Sequence, residues 1–430
     1  MDDDDIIREN EWVLLKLPSG NHKIFVLKAG EKVDLGKFGS FQSDDLIGKF
    51  QLVPYEIHGS NEIRRLQNLD FLEEFDFGES LESASNVLII DDPASQKLSQ
   101  NDIEAFKQQS LQGIVDHSSL IQSLIKNNSA FDKKTEFSKA KYIKRKQRKF
   151  SKIFTAIKPT ARMFCDFYLE RKPDKTREMR SDTLSQMMTL ANVRAGSNFL
   201  VVDDMAGLLV GAMLERMQGH GSITVLHDKD QAALDLVRMM NFPATVTNTI
   251  YSLPWFHLDA LPAYIEPSNE EAALRSRTRR DQIEEVFERV HRGGFDGLLI
   301  ASRFDAHEIV KKLELLVAPS KPVVVYSPYK EALLEAYNYV RLSHRFVNTQ
   351  LTESWLREYQ VPTTNTGTHP TMTTSGSGGY LFSSTTVIDD GVKISKAGAT
   401  RSGTGGHSMG TQKRLKTATS DTEMDMSNNT

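Results

Sequence analysis

Two acids, Asp203 and Asp204, close the apolar run "NFLVV" and open the turn "DDMAGLL", which leads into the helix-like "VGAMLERMQ". An acid at the end of a strand, ahead of a tight turn and a helix, is the arrangement that holds a dinucleotide or S-adenosylmethionine. That chemistry needs glycines in the turn, because the backbone must bend sharply and let the ligand approach with no Cβ in the way. Matching the turn to acid-x-Gly-x-Gly-x-Gly sets Asp203 at the acid and puts Met205, Gly207 and Leu209 at the glycine positions, so two of the three are bulky. Side chains of that size are expected to take the space of the ligand's methionine and ribose. After the next strand, "SITVLHD", His227 precedes Asp228 where an acid would bind the ribose hydroxyls.

A further strand, "FDGLLIA", ends at Ala301, where methyltransferases acting on a ring nitrogen often carry an acid or Asn beside the target base. Taken together on one rim of one sheet, these faults read as a methyltransferase-type fold without a cofactor of its own and without catalytic residues. Metal chemistry is not expected either. The single cysteine, Cys165, excludes an internal disulfide and leaves too few thiolates for a zinc cluster.

The elements that would position this rim alternate strand and helix. "NFLVVDD", "SITVLHD", "ATVTNTI", "FDGLLIA" and "PVVVYS" read as strands. "AGLLVGAMLERMQ", "DQAALDLVRMMN", "NEEAALRSRTRRDQIEEVFERVHRGG", "AHEIVKKLELLV" and "YKEALLEAYNYVR" read as helices. Apolar strands between amphipathic helices predict a parallel sheet covered on both faces. The first eighty residues differ: "EWVLLKL", "HKIFVLK", "KVDLGKFGSF" and "FQLVPYEIH", divided by glycine-bearing turns, predict a small β-barrel. The expected fold is therefore α/β, with a barrel at 1–80, a helical connector with a basic segment at 81–150, a degenerate Rossmann-like domain at 151–390 and a disordered tail at 391–430. In the connector, Ser99 is the expected N-cap with Asp102 three residues on, and Phe106, Leu111, Ile114, Ile121 and Ile125 mark an apolar helix face. Tyr380 to Val387 is the expected last strand.

The net charge of -4 conceals a segregation. The stretch "FDKKTEFSKAKYIKRKQRKF", residues 131–150, holds nine basic residues against two acids: Lys133, Lys134, Lys139, Lys141, Lys144, Arg145, Lys146, Arg148 and Lys149. Such a run serves as a solvated face or nuclear import signal, or it neutralises phosphates while Tyr142 and Phe150 pack or stack. In "REMRSDTLSQMM", Arg177 and Arg180 contact RNA, or belong to a structural helix and pair with Glu178 or Asp182. In "LTESWLREYQV", Trp355, Leu356 and Tyr359 have one-face helical spacing, the pattern of a packed core.

The stretches "KLSQNDIEAFK", "KYIKRKQRKF", "REMRSDTLSQMMTLANVRAGS", "GGFDGLLIA", and "LTESWLREYQV" followed by "HPTMTTSGSGGYL" occur in that order. Together, over roughly residues 11–387, they resemble the non-catalytic subunits of the eukaryotic tRNA adenine N1-methyltransferase that modifies the T-loop. The resemblance, which is to fungal members, implies a nuclear protein that pairs with a separate catalytic subunit, two copies of each, to bind tRNA. It implies that S-adenosylmethionine sits on the partner alone, and it moves Trp355, Leu356 and Tyr359 from the core to the subunit boundary. Two other functions remain open on the residues: an active S-adenosylmethionine-dependent RNA methyltransferase with an unusual loop, and a nuclear adaptor whose sheet is a protein-binding platform.

Overall fold

The computed structural model describes residues 5–58, 62–66, 97–99, 117–129, 136–261, 270–361, 368–374 and 376–388, with a few single positions between 101 and 131. The expected disordered tail at 391–430 lies outside the described residues. So do Leu111 and Ile114 of the connector.

The N-terminal part holds β1 (Trp12–Lys16), β2 (His22–Val26), β3 (Lys32–Asp34), β4 (Ser40–Gln42), the short α1 (Ser43–Leu46), β5 (Pro54–His58) and β6 (Glu62–Arg65). Helices α2 (His117–Lys126) and α3 (Glu136–Phe150) follow, then β7 (Ile153–Ile157). The first sheet is antiparallel and five-stranded, in the order β2-β1-β7-β5-β6, while β3 and β4 form a separate hairpin. Hairpin and sheet share one core, in which Phe41 stacks on Phe154 at 4.8 Å and Tyr55 leans on Phe154 at 5.9 Å. This small sheet-and-hairpin module stands where a barrel was expected.

Its central strand arrives last. The sequence division at residue 150 assigns β7 to the second domain, but alternate burial of Phe154 and Ala156 seats it between β1 and β5. Helix α3, two residues ahead of β7, is therefore leashed to the N-terminal sheet.

The second sheet has seven strands in the order β10-β9-β8-β11-β12-β16-β13. These are β8 (Ser197–Asp203), β9 (Gly221–His227), β10 (Ile250–Pro254), β11 (Gly297–Ala301), β12 (Pro322–Ser327), β13 (Phe346–Glu353) and β16 (Tyr380–Thr386), and a small pair, β14 (Tyr359–Gln360) with β15 (His369–Pro370), lies beyond β13. Strands β8 to β12 are mutually parallel, and β16 runs antiparallel to both β12 and β13. The helices are α4 (Ala161–Arg171), α5 (Ser181–Leu190), α6 (Leu208–Met217), α7 (Asp235–Met239), α8 (Ala244–Thr247), α9 (Glu270–Arg292), α10 (Ala306–Leu313) and α11 (Glu331–Leu342).

Both faces of this sheet are covered. Phe199 and Val201 of β8 join one core, and their neighbours Leu200 and Val202 join the other. Strictly alternating side chains divided between two apolar layers explain why the strand reads as a continuous apolar run. One expected strand is different: in "ATVTNTI" the first four residues form α8, opened by Pro243 as N-cap, and the strand begins only at Ile250. The strand order reverses between β8 and β11. In such a sheet that reversal leaves a crevice at the carboxyl ends, the usual place for a ligand.

Candidate functional site

The turn after β8 is folded on itself. Asp203 accepts hydrogen bonds from the backbone N–H groups of Met205 at 2.7 Å and Val210 at 3.1 Å, so its carboxylate caps the start of α6. Burial pushes its pKa up to about 6, although the N–H donors oppose the shift. Ala206 and Gly207 both take left-handed conformations, with φ of 57° and 86°. A Cβ at Gly207 would meet the Leu234 Cα at 3.0 Å, so this surviving glycine serves the packing of the turn against α7.

Met205 and Leu209 are fully buried, in the same apolar cluster as Met179, Met187 and Tyr326. They were expected to fill ligand space, yet neither lines the crevice. They pack beneath the turn because removing their side chains from water is worth about 2 kcal/mol each. The crevice itself is lined by Asp203, His227, Lys229, Trp255, Ser302 and Phe304, among others, and has a volume of about 20 Å³. By the same measure one water needs about 10–15 Å³.

Arg303 pairs with Asp204, which lines the crevice. Its Nε lies 2.7 Å from Asp204 Oδ2 and its Nη2 donates to Asp204 Oδ1 at 3.0 Å, across the reversal point. His227 is buried, and burial draws its pKa below the ordinary imidazole value. Ala301 is fully buried between Asp203 and Tyr326 in the sheet and brings no polar side chain to the rim. No cluster of three or more His, Cys, Asp or Glu with metal-holding geometry occurs among the described residues, and no described helix is long and apolar enough to cross a membrane.

The basic segment forms α3 from Glu136 onward; Lys133, Lys134 and the side chains of Lys144 and Arg148 lie outside the described residues. Tyr142 and Phe150 face inward, 7% and 9% exposed, so they pack and are not free to stack with a base. Lys146 lies over both rings, at 5.1 and 5.8 Å, and Lys139 lies 5.9 Å over Phe131. Lys141, Arg145 and Lys149 are exposed. Their i, i+4, i+8 spacing gives one cationic stripe about 12 Å long.

Arg177 and Arg180 separate into different roles. Arg180 is 8% exposed, donates from Nε to Asp182 Oδ1 at 2.9 Å and from Nη2 to the Leu356 carbonyl at 2.6 Å. Asp182 Oδ2 in turn accepts from Leu356 N–H at 3.1 Å. Arg180 is thus engaged inside the fold, where its Nε and Nη2 both meet acceptors. Arg177 carries a left-handed backbone, φ 52°, and a buried Nε with no hydrogen-bond partner among the described residues. Burial lowers its pKa, while Asp204 favours its charge.

The clamp on Leu356 holds an extended segment between β13 and β14, not a helix. Trp355, Leu356 and Tyr359 point outward at 54%, 55% and 60% exposure, so the core reading of their spacing fails. Two residues on the rim went unnoticed in the sequence. Phe304 and Tyr329 are 42% and 62% exposed, and each backbone N–H donates to a serine Oγ two residues earlier, Ser302 at 3.1 Å and Ser327 at 3.2 Å. The signal was there: Ser-x-aromatic directly after two neighbouring apolar strands.

Residues 6–287 match the Gcd10p family. A mouse protein named "tRNA (adenine(58)-N(1))-methyltransferase non-catalytic subunit TRM6" is 33% identical over 71% of this chain and 74% of its own length. A Kluyveromyces lactis protein of the same name is 32% identical over 87% and 86%. Among solved structures, a SAM-dependent O-methyltransferase from Thermotoga maritima aligns over 90% of this chain and 97% of its own at a TM-score of 0.50 and 9% identity, a likeness of fold alone. With about two thirds of its length matched and relatives above 30% identity, the chain belongs to the Gcd10p family.

Proposed function

We propose that this chain is the non-catalytic subunit of a tRNA (adenine(58)-N(1))-methyltransferase, which binds tRNA and supports a separate catalytic subunit. The observation that carries this is the crevice at the strand reversal. There Asp203 spends its carboxylate on the N–H groups of Met205 and Val210, Asp204 is paired with Arg303, and Ala301 brings no polar side chain to the rim. The residues present do not fit S-adenosylmethionine, and no methyl transfer is routed through this chain. The names of the mouse and yeast relatives support the same reading.

The catalytic subunit carries the cofactor, and the exposed Trp355, Leu356 and Tyr359 supply its docking surface. Large aromatic anchors are the usual carriers of interface energy. Two copies of each subunit form the assembly, which works in the nucleus. The stripe of Lys141, Arg145 and Lys149 meets phosphates of the RNA backbone.

Calorimetry tests the central claim: the chain should take up no S-adenosylmethionine at millimolar concentration, while its complex should, and micromolar binding by the chain alone would overturn it. For RNA, changing Lys141, Arg145 and Lys149 to Ala should flatten the salt dependence of tRNA binding by about three units of slope, roughly 0.9 per phosphate contact. Normal binding and methylation by that variant, with altered nuclear entry, would make α3 an import signal instead. Sedimentation that held at one copy of each subunit at every concentration would remove the tetramer.

A further inference from the structure

Ala301 of β11 pairs with Tyr326 of β12 in register, and three residues beyond each partner an aromatic ring stands exposed: Phe304 on one turn, Tyr329 on the next. Adjacent strands run about 5 Å apart, so the two turns are immediate neighbours on the rim. The turns are built alike, each raised by a serine Oγ that accepts the ring residue's own N–H. Exposed rings normally cost free energy unless something covers them. The Arg303 guanidinium lies 5.9 Å from the Phe304 ring centre, and the Tyr326 hydroxyl, three residues before Tyr329, donates to the Arg177 carbonyl at 2.8 Å.

Arg177 adds a separate observation. Its Nε is a buried donor without an acceptor among the described residues, and Arg177 and Glu178 are consecutive left-handed non-glycine residues. A buried unpaired donor is costly, and strained backbone of this kind gathers at ligand clamps. Asp204 is already held by Arg303, and Asp305 caps α10 by accepting from His307 N–H at 2.8 Å, so these rim acids are engaged.

We propose that Phe304 and Tyr329 form a stacking platform for one unpaired nucleotide of the bound RNA, with Arg177 meeting a phosphate beside it. Exposed rings on neighbouring turns beside guanidinium groups suit a base and its phosphate, because every base has a π face and the phosphate carries the charge that an Arg side chain attracts. The proposal rests on the RNA-binding reading above and gives the crevice rim a use without a cofactor.

The test uses the full chain co-expressed with its catalytic subunit, and as probe a short single-stranded RNA carrying 2-aminopurine, whose fluorescence is quenched on stacking. The wild type should quench it, and the double variant Phe304→Ala/Tyr329→Ala should not. Affinity for whole tRNA should fall about tenfold with the salt slope unchanged, since no charge is removed. Arg177→Gln should lower the slope by about one unit. Tyr329→Leu keeps bulk, guards against a folding defect, and should still lose quenching. Equal quenching and equal tRNA affinity in the aromatic variants would overturn the proposal, as would a loss of affinity for the catalytic subunit with RNA binding intact. If the α3 variant loses tRNA while the aromatic variants keep it, the platform alone is wrong. If the wild type binds no RNA, the reading beneath it is wrong as well.

Discussion

Arg303 and Asp204 join the carboxyl ends of β11 and β8 through two contacts, Nε to Oδ2 at 2.7 Å and Nη2 to Oδ1 at 3.0 Å. The pair spans the reversal point where sheets of this kind hold nucleotides. A clasp there raises a plain question: is it the clasp, or the packing beneath, that leaves no room?

The clasp is expected to be dispensable, and Arg303→Ala checks it. The Arg303 side chain is 57% exposed, so its ion pair contributes less than about 1 kcal/mol and the melting curve should hardly move. Calorimetry on the variant should still detect no S-adenosylmethionine uptake. Micromolar binding would assign the exclusion to the clasp alone.

Restoring glycines is expected to unfold the domain before it opens a site. Met205 and Leu209 have no exposed surface, and large-to-small changes at such positions cost about 2–5 kcal/mol each. Met205→Gly with Leu209→Gly should therefore cost about 5 kcal/mol or more, comparable to the whole stability of many domains. Urea denaturation measures this. A double variant that stayed folded and transferred methyl groups alone would refute the account of the turn.

The parallel sheet was legible because β8, β9, β11 and β12 are buried on both faces, and burial of that kind writes itself as consecutive apolar residues. The position of β7 was not, since its partners β1 and β5 lie 143 and 99 residues earlier by register (Leu14 with Ile157, Tyr55 with Phe154) and pairing across such distances leaves no local period. The segment 354–361 misled for a related reason. Its Trp355, Leu356 and Tyr359 are spaced as on a helix, but Arg180 and Asp182 bind both the carbonyl and the N–H of Leu356 and hold the chain extended. In the turn after β8 the side chains of Met205 and Leu209 went into the core, a choice that burial energy makes and spacing cannot express.

That clamp yields a prediction of its own. Arg180→Met leaves Asp182 and the Leu356 carbonyl without a buried cationic partner, which should cost about 2–4 kcal/mol in stability. The salt slope of tRNA binding should stay as in the wild type, because the residue reaches no phosphate. A flatter slope with unchanged stability would return Arg180 to the RNA surface.

The last prediction concerns pH. The pKa of Asp203 is pushed up to about 6 in the fold, against about 3.9 in the unfolded chain. Between those values the folded state holds a proton that the unfolded state has lost. Stability from this group is therefore fully present below about pH 4 and is lost as pH rises through 6, a change of about 3 kcal/mol for a shift of this size. Asp166, Glu215 and Glu314 are also raised by burial, so the wild-type curve sums several carboxyls. Comparison with Asp203→Asn isolates the one. Asparagine keeps an Oδ1 acceptor for the Met205 N–H, but its amide N–H₂ cannot accept from Val210, which costs about 1–3 kcal/mol at every pH. Urea denaturation from pH 4 to 7 should show the wild type losing about 2 kcal/mol more than the variant. Parallel curves would mean that the Asp203 carboxyl is not linked to folding, and the buried cap at the start of α6 would need another explanation.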